Sequence, residues 1–104
     1  MQRTCNDRKL LQAAYGEPNA KKIERRLFEL YSVDDLSQIP VNPPARRHLL
    51  TGNRAGQFAV VVKEPFRIIF IPMNDPLPIL PDGGIDINKV TKIKIIEIGD
   101  YHGE

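Results

Sequence analysis

At 104 residues, with 41% hydrophobic content and a net charge of +2, the chain fits one small domain, residues 1–104, with a single core and no room for a second catalytic module. Its one cysteine, Cys5, excludes an internal disulfide, no apolar run approaches the roughly 18 residues of a spanning helix, and the basic N-terminus lacks a signal-like apolar stretch, so a reducing, cytoplasmic setting is expected. The total charge is too small to announce nucleic-acid binding, but from Arg46 to Arg67 the basic residues Arg46, Arg47, Arg54, Lys63 and Arg67 face Glu64 alone.

Asn6 can cap a first helix in which Leu10, Leu11, Ala14 and Tyr15 recur at helical spacing and which Gly16 is placed to end. Pro18 sits where a second helix tolerates proline, and Ala20, Ile23, Leu27, Leu30 and Tyr31 form an apolar stripe opposite Lys21, Lys22, Glu24, Arg25 and Glu29. A turn around Val33 to Leu36 then gives way to Pro40, Pro43 and Pro44, whose missing N–H groups forbid further helix. Arg47 to Leu50, Gln57 to Lys63, Phe66 to Ile71 and Lys92 to Ile98 are rich in Val, Ile and Phe and read as strands. Short reversals at Gly52-Asn53-Arg54 and Glu64-Pro65 predict that the first three of these strands form an antiparallel meander. A long link with Pro72, Pro76, Pro78, Pro81 and Gly83-Gly84 is too stiff and too broken for a core element and reads as a flap or recognition loop. The adjacent Ile95 and Ile96 put apolar weight on both faces of the last strand, as expected of an internal one.

The chain's two histidines are His48, in Arg46-Arg47-His48, and His102, in Asp100-Tyr101-His102. An RNA strand can be cut without metal if one group removes the 2′-hydroxyl proton, another protonates the departing 5′-oxygen, and cations stabilise the crowded phosphorus. Imidazole serves either proton-transfer role, each typically worth about 10²- to 10⁴-fold. Arg54 and Arg67 would supply charge in a planar fork suited to phosphate oxygens, and Tyr101 could stack on a base. Blander readings stand beside these. The terminal triplet is otherwise a solvated tail, Arg67 a structural ion pair with Glu64 or Glu97, and Arg46-Arg47 a charged strand edge that discourages aggregation. Gly99 is a point at which the strand register can break, and a metal site from His48, Asp100 and His102 lacks any supporting motif.

In combination, His48-x-Leu50-x-Gly52-Asn53-Arg54-x-Gly56-Gln57-Phe58, Phe66-Arg67-Ile68-Ile69-Phe70 and Ile98-Gly99-Asp100-Tyr101-His102 resemble the HigB branch of the RelE/ParE toxin superfamily in order and spacing. The resemblance runs from about Cys5 to the end. It implies an α+β fold, an N-terminal helical hairpin packed on a twisted antiparallel sheet of about four strands. It also implies the toxin of a bacterial type II toxin–antitoxin pair, which enters the ribosomal A site and cuts the mRNA being translated, with no metal and no cofactor. Carried over by position, His48, Asp100 and His102 would transfer protons, Arg67 would bind the scissile phosphate and Tyr101 would contact a nucleotide. Arg46, Arg47 and Arg54 would touch RNA, Arg54 from the turn. The implied partners are a helix-turn-helix antitoxin, through which alone operator DNA is reached, and the ribosome, but no membrane.

Two departures qualify the transfer. Thr51 stands where this branch commonly has a lysine, removing one cation, and only Met1 to Thr4 precede Cys5, so the family's first strand is expected to be missing. These departures motivate a second reading, a non-catalytic module that binds an antitoxin or, like ParE, inhibits gyrase.

Overall fold

A computed structural model describes residues 1–3, 20–63 and 65–100. Its elements are strand β1 (Gln2–Arg3), helix α1 (Ala20–Ser32), and strands β2 (His48–Leu49), β3 (Phe58–Lys63), β4 (Phe66–Pro72) and β5 (Lys92–Asp100). Single 3-10 turns lie at Leu36–Gln38, Gly52–Arg54 and Ile87–Lys89. The first predicted helix, between Asn6 and Gly16, lies outside the described residues.

The sheet has five strands in the order β1-β5-β4-β3-β2. The expected meander is present: β2, β3, β4 and β5 pair antiparallel in sequence. Two expectations need correction, the count of about four strands and the missing first strand. Gln2 and Arg3 pair in parallel with Lys92 and Ile93, and β5 is internal. Two residues suffice because their neighbours anchor them. Met1 is buried, its amino group donates to the Tyr31 carbonyl at 3.0 Å and also to that of Val33, and Gln2 N–H donates to Thr91 at 2.8 Å. The amine thus meets carbonyls at the end of α1, where a helix leaves acceptors unsatisfied and favours positive charge.

Helix α1 follows its apolar stripe. Ile23, Leu27 and Leu30 are buried against Phe58, Val60, Val62, Ile68, Phe70, Ile93, Ile95 and Ile98, which define the inner face of the sheet. Phe58 and Phe70, paired across β3 and β4, stack at 5.9 Å between ring centroids. Each such buried side chain contributes about 1.5–3 kcal/mol over leaving it in water. Arg26 is the exception in the stripe: it is buried, donating from Nε to the Val61 carbonyl at 2.8 Å and from a terminal nitrogen to Glu29 at 2.7 Å.

The outer face carries a smaller cluster of Leu50, Ala59 and Ile69, with Ile96 against it. A bulge explains the adjacent isoleucines. Ile69 pairs with Glu97 but Phe70 pairs with Ile95, so Ile96 is the extra residue that shifts the alternation. The register is broken at Ile96 and runs unbroken through Gly99, which pairs with Arg67. The long link is more integrated than its prolines suggest. Asn74 clamps its two ends through Thr91 and Lys92, while Val90 is fully buried and its carbonyl accepts from Leu36 N–H at 3.0 Å.

Candidate active site

The candidate site grows from the edge of β3. His48 pairs with Ala59, and three residues earlier the Ala45 carbonyl accepts from Val61 N–H at 2.7 Å. Arg46 and Arg47 therefore stand opposite Val60 alone, an inserted residue of the kind that re-aims side chains at functional edges. Arg46 takes a φ of 50°, a left-handed conformation that costs a non-glycine residue about 1–3 kcal/mol. One strand further in, Val61 pairs with Arg67.

These connections bring Arg46, Arg47, His48 and Arg67 around one cleft of about 280 Å³, with Val41 and Val61 completing its wall. Among the described residues, no carboxylate lines it. The His48 Nδ1–H donates to the Arg46 carbonyl at 2.8 Å, and because a carbonyl only accepts, Nδ1 carries the hydrogen. In the neutral ring Nε2 then holds the lone pair, the form a general base needs. Arg47 donates from Nε to the Ile39 carbonyl at 2.8 Å, and burial pulls its pKa down from the ordinary arginine value. Arg67 is half-buried and donates to the Pro65 carbonyl at 3.3 Å. Of the two carboxylates weighed as its ion-pair partner, Glu97 pairs with Arg54, and Glu64 lies outside the described residues.

Arg54 does not line the cleft. Its guanidinium donates to Glu97 at 2.6 Å and to Gln57 at 3.0 Å, tying the Gly52–Arg54 turn to β5. Thr51 precedes that turn and is exposed. Asp100 closes β5 opposite Phe66, one register step from the Gly99–Arg67 pair, which brings the end of β5 to the Arg67 end of β4. Tyr101 and His102 lie outside the described residues. A β-carbon built on Gly99, opposite Arg67, would meet nothing within 4 Å among the described residues. Sequence reasoning placed Arg46 and Arg47 in RNA contact but missed that they share one cleft with His48 and Arg67. It also missed Arg26, whose only signal was an arginine among the stripe residues Ile23, Leu27 and Leu30.

A larger groove of about 360 Å³ beside Phe28 is walled mainly by apolar groups and offers no proton-transfer pair. Among the described residues, no three His, Cys, Asp or Glu side chains gather as a metal site would require. No helix there is long and apolar enough to cross a membrane.

No protein-family model matches the sequence, and no curated protein matches it. Among solved structures, the chain is similar to a YoeB/ParE toxin from Agrobacterium tumefaciens, with a TM-score of 0.56 at 12% identity over 98% of this chain and 100% of that one. The likeness spans both chains almost completely, and at that identity it is one of fold: the chain is a mixed α+β domain folded like that toxin.

Proposed function

We propose that this chain is the toxin of a bacterial type II toxin–antitoxin pair, of HigB type, acting in the cytoplasm as a ribosome-dependent, metal-independent mRNA endonuclease. One observation carries the reading. A histidine with its Nδ1 hydrogen committed shares one cleft with three arginines, at the β4 end that β5 also reaches. The fold likeness to a YoeB/ParE toxin supports the toxin reading in general, and the sequence resemblance supplies its HigB type.

In this reading the mRNA ribose-phosphate linkage enters the cleft in the ribosomal A site. His48 Nε2 takes the proton of the 2′-hydroxyl, the 2′-oxygen attacks phosphorus, and the bond to the 5′-oxygen breaks. His102, assisted by Asp100, returns a proton to that departing oxygen, leaving a 2′,3′-cyclic phosphate and a 5′-hydroxyl. Arg67 stabilises charge on the phosphoryl oxygens, where preorganised donors are worth most. Tyr101 contacts a neighbouring nucleotide, and Arg46, Arg47 and Arg54 contact RNA around it. The ribosome supplies alignment of the strand, so free RNA is a poor substrate. A helix-turn-helix antitoxin restrains the toxin and carries the pair to operator DNA.

Primer extension on messages translated with and without the protein tests this directly. Codon-positioned cuts that disappear in a folded His102→Ala variant are expected. Intact messages with a supercoiling defect would replace the endonuclease by a ParE-like gyrase inhibitor, and a folded His102→Ala variant of undiminished toxicity would remove His102 from the chemistry.

A further inference from the structure

We infer that Arg47 is a second phosphate-binding residue of the cleft, holding the phosphodiester from the β2 side while Arg67 holds it from the β4 side, with Val61 as the floor between them. This rests on the reading above, that the cleft takes an RNA linkage, and it moves Arg47 from a peripheral RNA contact to the reacting group.

The placement follows from the strand order. Arg67 pairs with Val61, and Val61 N–H donates to Ala45, so the Arg46–Arg47 insertion flanks Val61 on the side away from Arg67. Two strand spacings separate the two arms, about 10 Å between backbones, a gap that two arginine side chains close from opposite sides. Arg47 is also held in place. Its Nε–H is bonded to the Ile39 carbonyl and its own backbone N–H to the Pro40 carbonyl at 2.9 Å, which fixes the stem and leaves the terminal nitrogens of the fork to a ligand. Half-withdrawn from water, it lines the cleft together with Arg46, His48 and Arg67. The left-handed φ of Arg46, beside it, is a conformation kept at a cost where an edge presents side chains to a ligand. A phosphodiester in the cleft can be held from both sides. A planar fork on each side offers paired N–H donors to its two non-bridging oxygens, a geometry a lysine cannot reproduce.

The test uses the full chain and an uncleavable 2′-deoxy trinucleotide, titrated at fixed salt and followed by NMR, together with single-turnover cleavage of a ribosome-bound message. Arg47→Ala is expected to weaken trinucleotide binding about tenfold or more and to slow cleavage by a similar factor, with ribosome association unchanged. Arg47→Gln keeps a donor for the Ile39 carbonyl without the charge and serves where the alanine variant fails to fold; it is expected to show the same loss. Exposed Lys89→Ala controls for a general charge effect and should bind as the parent does. Parent-like binding by folded Arg47→Ala or Arg47→Gln, or an equal loss in Lys89→Ala, overturns the assignment and leaves the endonuclease reading intact. If the parent chain cuts no translated message, the endonuclease reading falls, and the trinucleotide titration alone decides whether Arg47 binds phosphate.

Discussion

Arg26 and Val61 meet at the edge of β3 through a 2.8 Å hydrogen bond from the arginine Nε to the valine carbonyl, and Val61 is in turn the pairing partner of Arg67. Strand β2 pairs with β3 only at Ala59 and Phe58, so beyond it the edge of β3 is completed differently. The Ala45 carbonyl takes the Val61 N–H, and the buried Arg26 takes its carbonyl. A register irregularity between Val61 and Lys63 lies at the same place, and a second nitrogen of Arg26 reaches the Val62 carbonyl at 3.5 Å. The helix thereby holds, from the inner side, the strand that forms the cleft floor.

Replacing Arg26 with Met should therefore cost more than a surface arginine would. A charge-assisted hydrogen bond is lost and a buried carbonyl is left without its donor, together about 2–4 kcal/mol. Urea unfolding of the two chains measures it, and coincident midpoints would show that Arg26 is dispensable. The same variant should slow cleavage even where it remains folded, because the floor under Arg67 is loosened.

His48 is half-exposed, so its removal should affect chemistry far more than folding. His48→Ala is expected to lower single-turnover cleavage by about 10²- to 10⁴-fold, the usual worth of a positioned proton transfer. Its melting temperature should stay close to that of the parent. A drop in melting temperature that accounts for the lost activity would make His48 a structural residue.

Arg54 and Glu97 form an ion pair in which the two side chains are 27% and 43% exposed. At that exposure solvent screens the attraction, and a double-mutant cycle with Arg54→Ala and Glu97→Ala should return a coupling of about 0.2–1 kcal/mol that shrinks in high salt. A coupling several times larger would mean that the turn depends on this pair rather than on its backbone bonds.

Gly99 offers a way to close the site without disturbing the fold. No described residue lies within 4 Å of where its β-carbon would stand, and the same register position carries Arg67 on β4. Gly99→Ala should change stability by no more than about 0.5 kcal/mol, whereas Gly99→Leu should fold but lose cleavage as its side chain covers the face beside Arg67. Denaturation midpoints and cleavage rates for both variants check this; parent-like cleavage by the leucine variant would place the substrate elsewhere.

Much of this molecule was legible one segment at a time. The Ile23, Leu27 and Leu30 stripe specified α1, and the Val, Ile and Phe runs with their short reversals specified the antiparallel meander, because the periods of helix and strand are written in neighbouring residues. The clustering of arginine around His48 was legible too, as composition. What local pattern could not decide was everything made by two distant segments. Strand β1 is two residues long and exists through β5 and the end of α1, so no propensity announces it. The extra residues at Arg46–Arg47 and Ile96 are defined only against the strand opposite, and a one-residue shift decides which face every later side chain takes. Arg26 counts as polar in any sequence pattern, yet it is buried because unpaired carbonyls of β3 wait for a donor. The sequence by itself determined which residues could carry charge and protons. The tertiary structure decided that His48, Arg47 and Arg67 share one cleft and that Arg54 does not, because partnership across strands is a property of register, and register is settled only when the sheet closes its hydrogen bonds.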